Sequence, residues 1–279
     1  MTTVADLLLR GGARLAVLTS ALTLVMILAF IAYASWPALA EIGVWRFVSD
    51  GGWHPLAGRY DMAPMIVGTL LAAAGAMVLA GPLGLLAAVF RRFYAPRWLA
   101  GGFRRVVFIL AALPSVVFGL WALTVIVPLI AALSPPGPSL LAAALVLAIM
   151  VLPTVAITAD AALGGVPPEQ IDGALTLGAD RADLIWRTAV PAARRGIGGG
   201  LLLAAGRAFG ETMAVVMVAG NIVQIPDSVF APVRTLTANI ALEMGYATEA
   251  HRATLFVSAL VLVLLVLATA AAISLKRKS

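Results

Sequence analysis

Residues 201–221 read LLLAAGRAFGETMAVVMVAGN. The stretch is apolar enough for a membrane interior, yet it carries Arg207 and Glu211. A charge at the bilayer centre costs from about 2.5 to 17 kcal/mol, so such residues usually face a bundle interior or a wet pathway. The i, i+4 spacing puts both on one face of a continuous helix, where they can pair. Two readings stay open. The pair is a permanent ion lock between packed helices, or it lines or gates a path for a solute.

Working outward, the whole chain of 279 residues is 62% hydrophobic and only 11% charged. Soluble domains carry about 25% charged residues. Several apolar stretches exceed the length of a transmembrane helix, which predicts an all-α integral membrane protein. Six spans are expected, near 15–36, 65–90, 106–133, 140–163, 196–224 and 253–275. Each is long enough for a hydrocarbon core of about 30 Å. Ala38-Leu39-Ala40 resembles a signal cleavage site, but the preceding apolar run is longer than the about 7–15 residues of a signal core. It reads as an uncleaved anchor. Pro82, Pro114, Pro128 and Pro153 predict kinks.

The net charge of +6 does not indicate nucleic acid, because the basic residues cluster at span ends. Arg10 and Arg14 precede the first span. Arg91, Arg92, Arg97, Arg104 and Arg105 follow the second. Arg181, Arg187, Arg194 and Arg195 lie between the fourth and fifth, and Lys276, Arg277 and Lys278 end the chain. The opposite side has Arg46, Arg59, Arg234 and Arg252. The positive-inside rule then makes 1–14 and 276–279 cytoplasmic ends of a single membrane domain, 15–275. Two external segments follow, 37–64 and 225–252. The first has Trp36, Trp45 and Trp53 in or beside it, as interfacial anchors or as a docking surface. The second carries Asn239 and Glu243, and 235–244 predicts a short helix at the external face.

Enzyme chemistry finds little support. Cysteine is absent, so thiol and Cys–metal chemistry are excluded. His54 and His251 lie far apart and read as solvated surface residues. No metal-ligand cluster or nucleophile–base arrangement stands out. The chain also lacks a G-x-x-x-x-G-K-[ST] loop, so energy from ATP would have to arrive through a partner.

Residues 166–196, VPPEQIDGALTLGADRADLIWRTAVPAARRG, are too polar to cross a membrane. Pro167-Pro168-Glu169 starts a helix, 170–176, and Gly178 stops it. A second helix is expected over 179–189, with Leu184, Ile185 and Thr188 on one side, ended by Pro191. The segment, 166–195, is either an ordinary interspan loop or an element that inserts into a soluble motor subunit. In the second case Leu184, Ile185 and Trp186 are candidates to fill the partner's groove.

Asp172-Gly173-Ala174, Gly178 and Val190-Pro191 resemble the cytoplasmic EAA loop of ABC importer permeases, E-A-A-x-x-x-G, nine residues, then I-x-L-P. Asp172 replaces Glu, Gly173 replaces the first Ala, and Thr188 and Val190 replace Ile and Leu. PSVVFGLWAL at 114–123, AIMVLPT at 148–154 and above all GRAFGETMAVVMVAGN at 206–221 resemble the C-type (PstC-like) permease subunit of bacterial phosphate importers. That is a member of the binding-protein-dependent ABC importer permease family. The resemblance implies a six-helix type I permease fold in the bacterial cytoplasmic membrane. It also implies pairing with a sister A-type permease, two copies of a cytoplasmic ATPase that uses ATP and Mg, and an external phosphate-binding protein. The chain itself would be non-catalytic and bind no cofactor or metal. The rival solute is another oxyanion or small molecule; the rival classes are an ATPase-independent channel and a membrane enzyme.

Within that reading, Arg207, Glu211, Thr212 and Asn221 are candidates for the substrate pathway or its gate. The guanidinium fork of Arg207 matches phosphate oxygens, and Glu211 would neutralise it when the path is empty. Asp172, Gly173, Ala174, Gly178, Leu184, Ile185 and Pro191 form the candidate coupling loop. Gly206 and Gly210 make a G-x-x-x-G that predicts packing against another span or the sister subunit. Gly196, Gly198, Gly199 and Gly200 predict a loose entry to the fifth span. Asp160 reads as a helix-end residue.

Overall fold

The computed structural model describes residues 4–275; the expectations for 1–3 and for the basic tail 276–279 lie outside the described residues. Helix α1, Val4–Ile42, runs unbroken through Ala38-Leu39-Ala40. It lies along α12, Glu249–Leu275, with Phe30 edge-on to Phe256 at 5.5 Å. Most of the remaining apolar surface of α1 is bare.

The core is built on α2, Ala63–Val89, and α6, Leu140–Gly164. Small residues let them approach. Ala72, Ala76 and Ala80 of α2 and Ala142, Ala143 and Val146 of α6 are buried in one cluster. A Cβ added at Gly84 would sit 2.7 Å from Val155, so only hydrogen fits there. Helix α9, Val190–Gly210, packs antiparallel on α6. A Cβ at Gly196 would lie 2.6 Å from that of Ala162, and one at Gly200 would lie 2.0 Å from the Thr158 hydroxyl. The expected loose entry is therefore a close-packed seam, with Gly196 and Gly200 as the small-residue pair of the helix interface.

Among the described residues, five helices are long and apolar enough to cross a membrane: Leu9–Ile42, Ala63–Tyr94, Ser115–Leu133, Leu140–Gly164 and Glu249–Ala272. Two expected spans change. The third does not start at 106. Helix α3, Arg97–Ala112, ends at Leu113, which is extended before Pro114, as the clash of a proline ring with the preceding residue requires. Helices α4, Ser115–Thr124, and α5, Ile126–Leu133, then make the crossing. The expected span 196–224 is broken. Helix α9 stops at Gly210, Glu211 is extended (φ −72, ψ 127), and a short α10 covers Met213–Val218. The chain then turns at Gly220 and Asn221, both at positive φ. Of the four prolines, Pro114 ends a helix, Pro82 and Pro153 sit inside continuous ones, and Pro128 lies in the first turn of α5.

At the arginine-rich end, α2 passes into a π turn, Phe90–Tyr94. Helix α7, Pro168–Thr176, begins on its proline pair with Glu169 in the first turn. It closes in a Schellman motif: Gly178 (φ 82) donates to Leu175 and Ala179 donates to Ala174, both at 3.0 Å. A single turn α8, Arg181–Asp183, is capped by Asp180. It continues through a π turn, Leu184–Ala189, directly into α9. Pro191 therefore does not end the helix; the wider turn before it relieves the clash that proline makes with the carbonyl four residues earlier.

At the opposite end, a 3-10 turn, Val44–Val48, leads to a hairpin of β1, Trp53–His54, and β2, Arg59–Tyr60. Helix α11, Leu236–Glu243, forms as expected, with the Thr235 hydroxyl accepting from the Ala238 N–H.

Candidate functional site

The break after α9 separates the two charges. Once the helix stops at Gly210, Glu211 no longer lies one turn above Arg207, and no ion pair joins them. One Glu211 carboxylate oxygen accepts from the Ala214 N–H at 3.2 Å. Its carbonyl accepts from the Thr237 hydroxyl at 3.0 Å. The side chain and a neighbouring helix thus supply partners for backbone groups that the break frees. Arg207 is exposed and makes no ion pair with any described residue. Thr212 is half-buried, with its hydroxyl 3.4 Å from the Gly210 carbonyl. Asn221 caps α10 instead of reaching across helices: Nδ2 donates to the Val216 carbonyl at 2.7 Å. Its Oδ1 is buried without a partner among the described residues.

Arg207 lies on a bare face. Leu203, Arg207 and Gly210 share one side of α9 and are all exposed. The other side, with Ala204, Ala208 and Phe209, is buried. A Cβ at Gly206 or Gly210 would meet nothing within 4 Å. The expected glycine packing is therefore not made inside this chain; the packing glycines are ten residues earlier. Phe209 marks the depth. It lines a cavity of about 320 Å³ with Leu70, Ala74 and Met77, from the middle of α2.

The strongest polar cluster is one that sequence reasoning missed. Arg234 Nη1 donates to Glu243 Oε1 at 2.7 Å and to Asn239 Oδ1 at 3.2 Å, and its Nε donates to the Asn221 carbonyl at 2.9 Å. Trp53 Nε1 donates to Glu243 Oε2 at 2.8 Å, and His251 Nε2 is 2.8 Å from the same oxygen. His251 and Glu243 are each 7% exposed, so His251 is not the solvated residue expected. Trp53 is buried too, unlike Trp36 and Trp45. The available signal was Asn239 and Glu243 at i, i+4 behind the Thr235 cap. The cluster ties the hairpin, α11 and α12 to the turn that follows α10.

In the candidate coupling segment, Asp172, Gly173, Gly178 and Pro191 are exposed and Ala174 is half-buried. Leu184 and Ile185 do not face a partner. Both are buried, and Ile185 packs with Ala88, Ala159 and Leu163 at the foot of α2 and α6. They are the anchors that hold the segment on the bundle. Its free apolar groups are Leu175, Leu177 and Trp186, with Leu177 90% exposed. Asp160 is not a plain helix end; it takes Arg91 bidentately, at 2.8 and 2.5 Å.

Residues 80–277 match the profile of the family described as "Binding-protein-dependent transport system inner membrane component". The chain belongs to this family. Its relatives include a phosphate transport system permease protein PstC from Pasteurella multocida, 30% identical over 93% of this chain and 88% of the relative. A PstC from Xylella fastidiosa is 35% identical over 81% of this chain and 76% of its own. A solved inward-facing structure of the MetNI methionine ABC transporter matches with a TM-score of 0.58, covering 84% of this chain and 95% of that one. At 18% identity this likeness speaks for the fold. The permease is thus the non-catalytic inner-membrane component of an ABC importer. ATP hydrolysis belongs to a partner ATPase, and solute arrives from a binding protein.

Proposed function

We propose that this permease imports inorganic phosphate and that Arg207 lies on the anion's route. The observation that carries this is the position of Arg207: a guanidinium without an ion partner among the described residues, on a bare helix face, level with the middle of the bundle. Facing lipid there would cost several kcal/mol. Irregular backbone such as that at Glu211-Thr212 persists at membrane depth only when it is covered by protein or lines a wet cavity. Both constraints are met if the bare face of α9 meets a second permease subunit across a water-filled path. A sister A-type chain, with two ATPase copies below, is the assembly we infer. Gly206 and Gly210 then let that subunit approach. The guanidinium offers two parallel N–H groups to a phosphate, and the phosphate-transport titles of the relatives favour that anion. Glu211, held by the Ala214 N–H, sets a negative charge at the break, which opposes tight trapping of the anion. Thr212 and Asn221 shape that break.

Segment 166–195 is the coupling element in this reading. Its Schellman turn presents Leu177, and the π turn presents Trp186, while Leu184 and Ile185 transmit their displacement to α2, α6 and α9. The chain itself needs no bound nucleotide; ATP and Mg serve the ATPase.

The test is phosphate uptake into vesicles that contain the permease and its partner subunits. Arg207→Ala and the charge-swapped Arg207→Glu/Glu211→Arg double variant should assemble and lose uptake. Full uptake by either overturns the route through Arg207. Leu177→Glu should abolish uptake and weaken ATPase association; unchanged association and uptake remove Leu177 from the contact.

A further inference from the structure

A second basic feature stands apart from the α9 break. Between the end of α2, helix α3 and the end of α6 lies a cavity of about 280 Å³. Arg91, Arg92, Arg104 and Asp160 all line it. Asp160 is consumed by Arg91 in the bidentate pair. Neither Arg92 nor Arg104 makes an ion pair among the described residues, so the cavity holds uncompensated positive charge. Both guanidinium groups are placed. That of Arg92 lies against Gly164 at the end of α6, where an added Cβ would be 3.2 Å from Nη1. That of Arg104 rests 5.5 Å from the centre of the Phe108 ring, a cation–π contact that leaves its N–H edge free. A second cavity of about 350 Å³ shares Arg91 and Arg92, so the charge is reachable from two sides.

The remaining wall is apolar. Phe103, Val107 and Phe108 of α3 line the cavity, and Val106 and Ile109 continue the apolar surface outward. We propose that this cavity binds a phosphate-bearing anion, with Arg92 and Arg104 as its direct ligands and the Asp160-held Arg91 as a fixed third cation. The anion is the phosphate of an acidic phospholipid headgroup or a soluble phosphate. Basic pockets between helices at a membrane boundary suit lipid phosphates, and the apolar wall offers a place for an acyl chain. The site is independent of the transport route through Arg207.

The assembled transporter, purified in a neutral detergent, provides the test. Native mass spectrometry would count retained phosphatidylglycerol during a titration with that lipid. Inorganic phosphate would be titrated separately as a competitor. Arg92→Gln/Arg104→Gln should weaken retention about thirtyfold, and Arg104→Gln alone about fivefold. Arg105→Gln, on the same helix but outside the lining, should leave it unchanged. Competition by phosphate with the same arginine dependence identifies a shared phosphate site. Arginine-dependent phosphate binding without lipid retention assigns the site to the soluble anion. Equal lipid and phosphate binding by wild type and both variants overturns the proposal. So does a loss in Arg105→Gln as large as in Arg104→Gln, because general surface charge would then explain it. The single variant keeps the test decisive if the double variant does not assemble.

Discussion

Arg207 with Glu211 and Arg234 with Glu243 are two arginine–carboxylate combinations in one chain, and they behave in opposite ways. The first looks like a pair in the sequence, one helical turn apart, and is none. The second spans nine residues of a segment read as an external loop, and closes at 2.7 Å. Spacing creates a pair only while the helix continues. At Glu211 the helix has ended, and the carboxylate serves a backbone N–H. At Glu243 the partners come from the hairpin, the stretch just before α11 and the start of α12, all brought together by tertiary folding. One combination leaves an arginine without an ion pair among the described residues, and the other spends its charges on holding the fold.

The largest test of this contrast is Glu243→Gln. It leaves Arg234 and His251 facing a neutral group in a buried site, where breaking a pair typically costs about 3–5 kcal/mol. Chemical unfolding of the detergent-solubilised permease should show it. A loss below about 1 kcal/mol would place the cluster with ordinary surface pairs. Next is Gly200→Ala, which drives a methyl into Thr158 and should cost about 1–3 kcal/mol through overpacking. Gly206→Ala, on the open part of the same helix, should be neutral or slightly stabilising in the isolated chain; equal losses at both positions would erase the distinction between the halves of α9. Arg207→Ala comes third. It should change the stability of the isolated permease by no more than about 0.5 kcal/mol, whereas a loss like that of Glu243→Gln would make Arg207 a structural charge after all.

The smallest effect concerns the exposed pair that staples the 3-10 turn to the hairpin. Arg46 donates to Asp50 and to the Gly58 carbonyl, and Asp50 accepts from the Tyr60 N–H. The hydrogen bond from Arg46 holds the Asp50 carboxyl below its usual range, helped by the Tyr60 N–H and by the charges of Arg46 and Arg59. A lowered folded value means that the contribution is complete above the ordinary carboxylate pKa and fades as pH falls through the folded one. Hydrogen-exchange protection across residues 44–60, corrected for the intrinsic pH dependence of exchange, should therefore fall only below about pH 4, and Asp50→Asn should remove that change in protection. Unchanged pH dependence in Asp50→Asn would assign it to another group.

Much of the architecture was legible because a bilayer leaves so few options. Apolar runs of membrane length could only be helices, and Pro167-Pro168, Glu169 and Gly178 marked α7 nearly to the residue. The candidate coupling segment, 166–195, stood out by its polarity. What misled was local reasoning carried across a break. Nothing in 196–224 declares that the helix stops at Gly210, since neither Gly210 nor Glu211 forbids a helix. The stop is stabilised by Thr237, twenty-six residues later, which no local pattern includes. Leu184 and Ile185 were visible as an apolar pair, but their direction depended on a π turn that only packing against α2 and α6 selects.

The amino-acid sequence by itself determined the membrane class, most of the crossings, the arginine-rich end and the family, because composition, span length and motif spacing are properties of the chain alone. The tertiary structure decided which charges meet, which glycines are contact points and which apolar residues are free. Those outcomes depend on distances between residues far apart in sequence. For Arg207 the fold gives its expected partner other work and leaves the guanidinium on an open face.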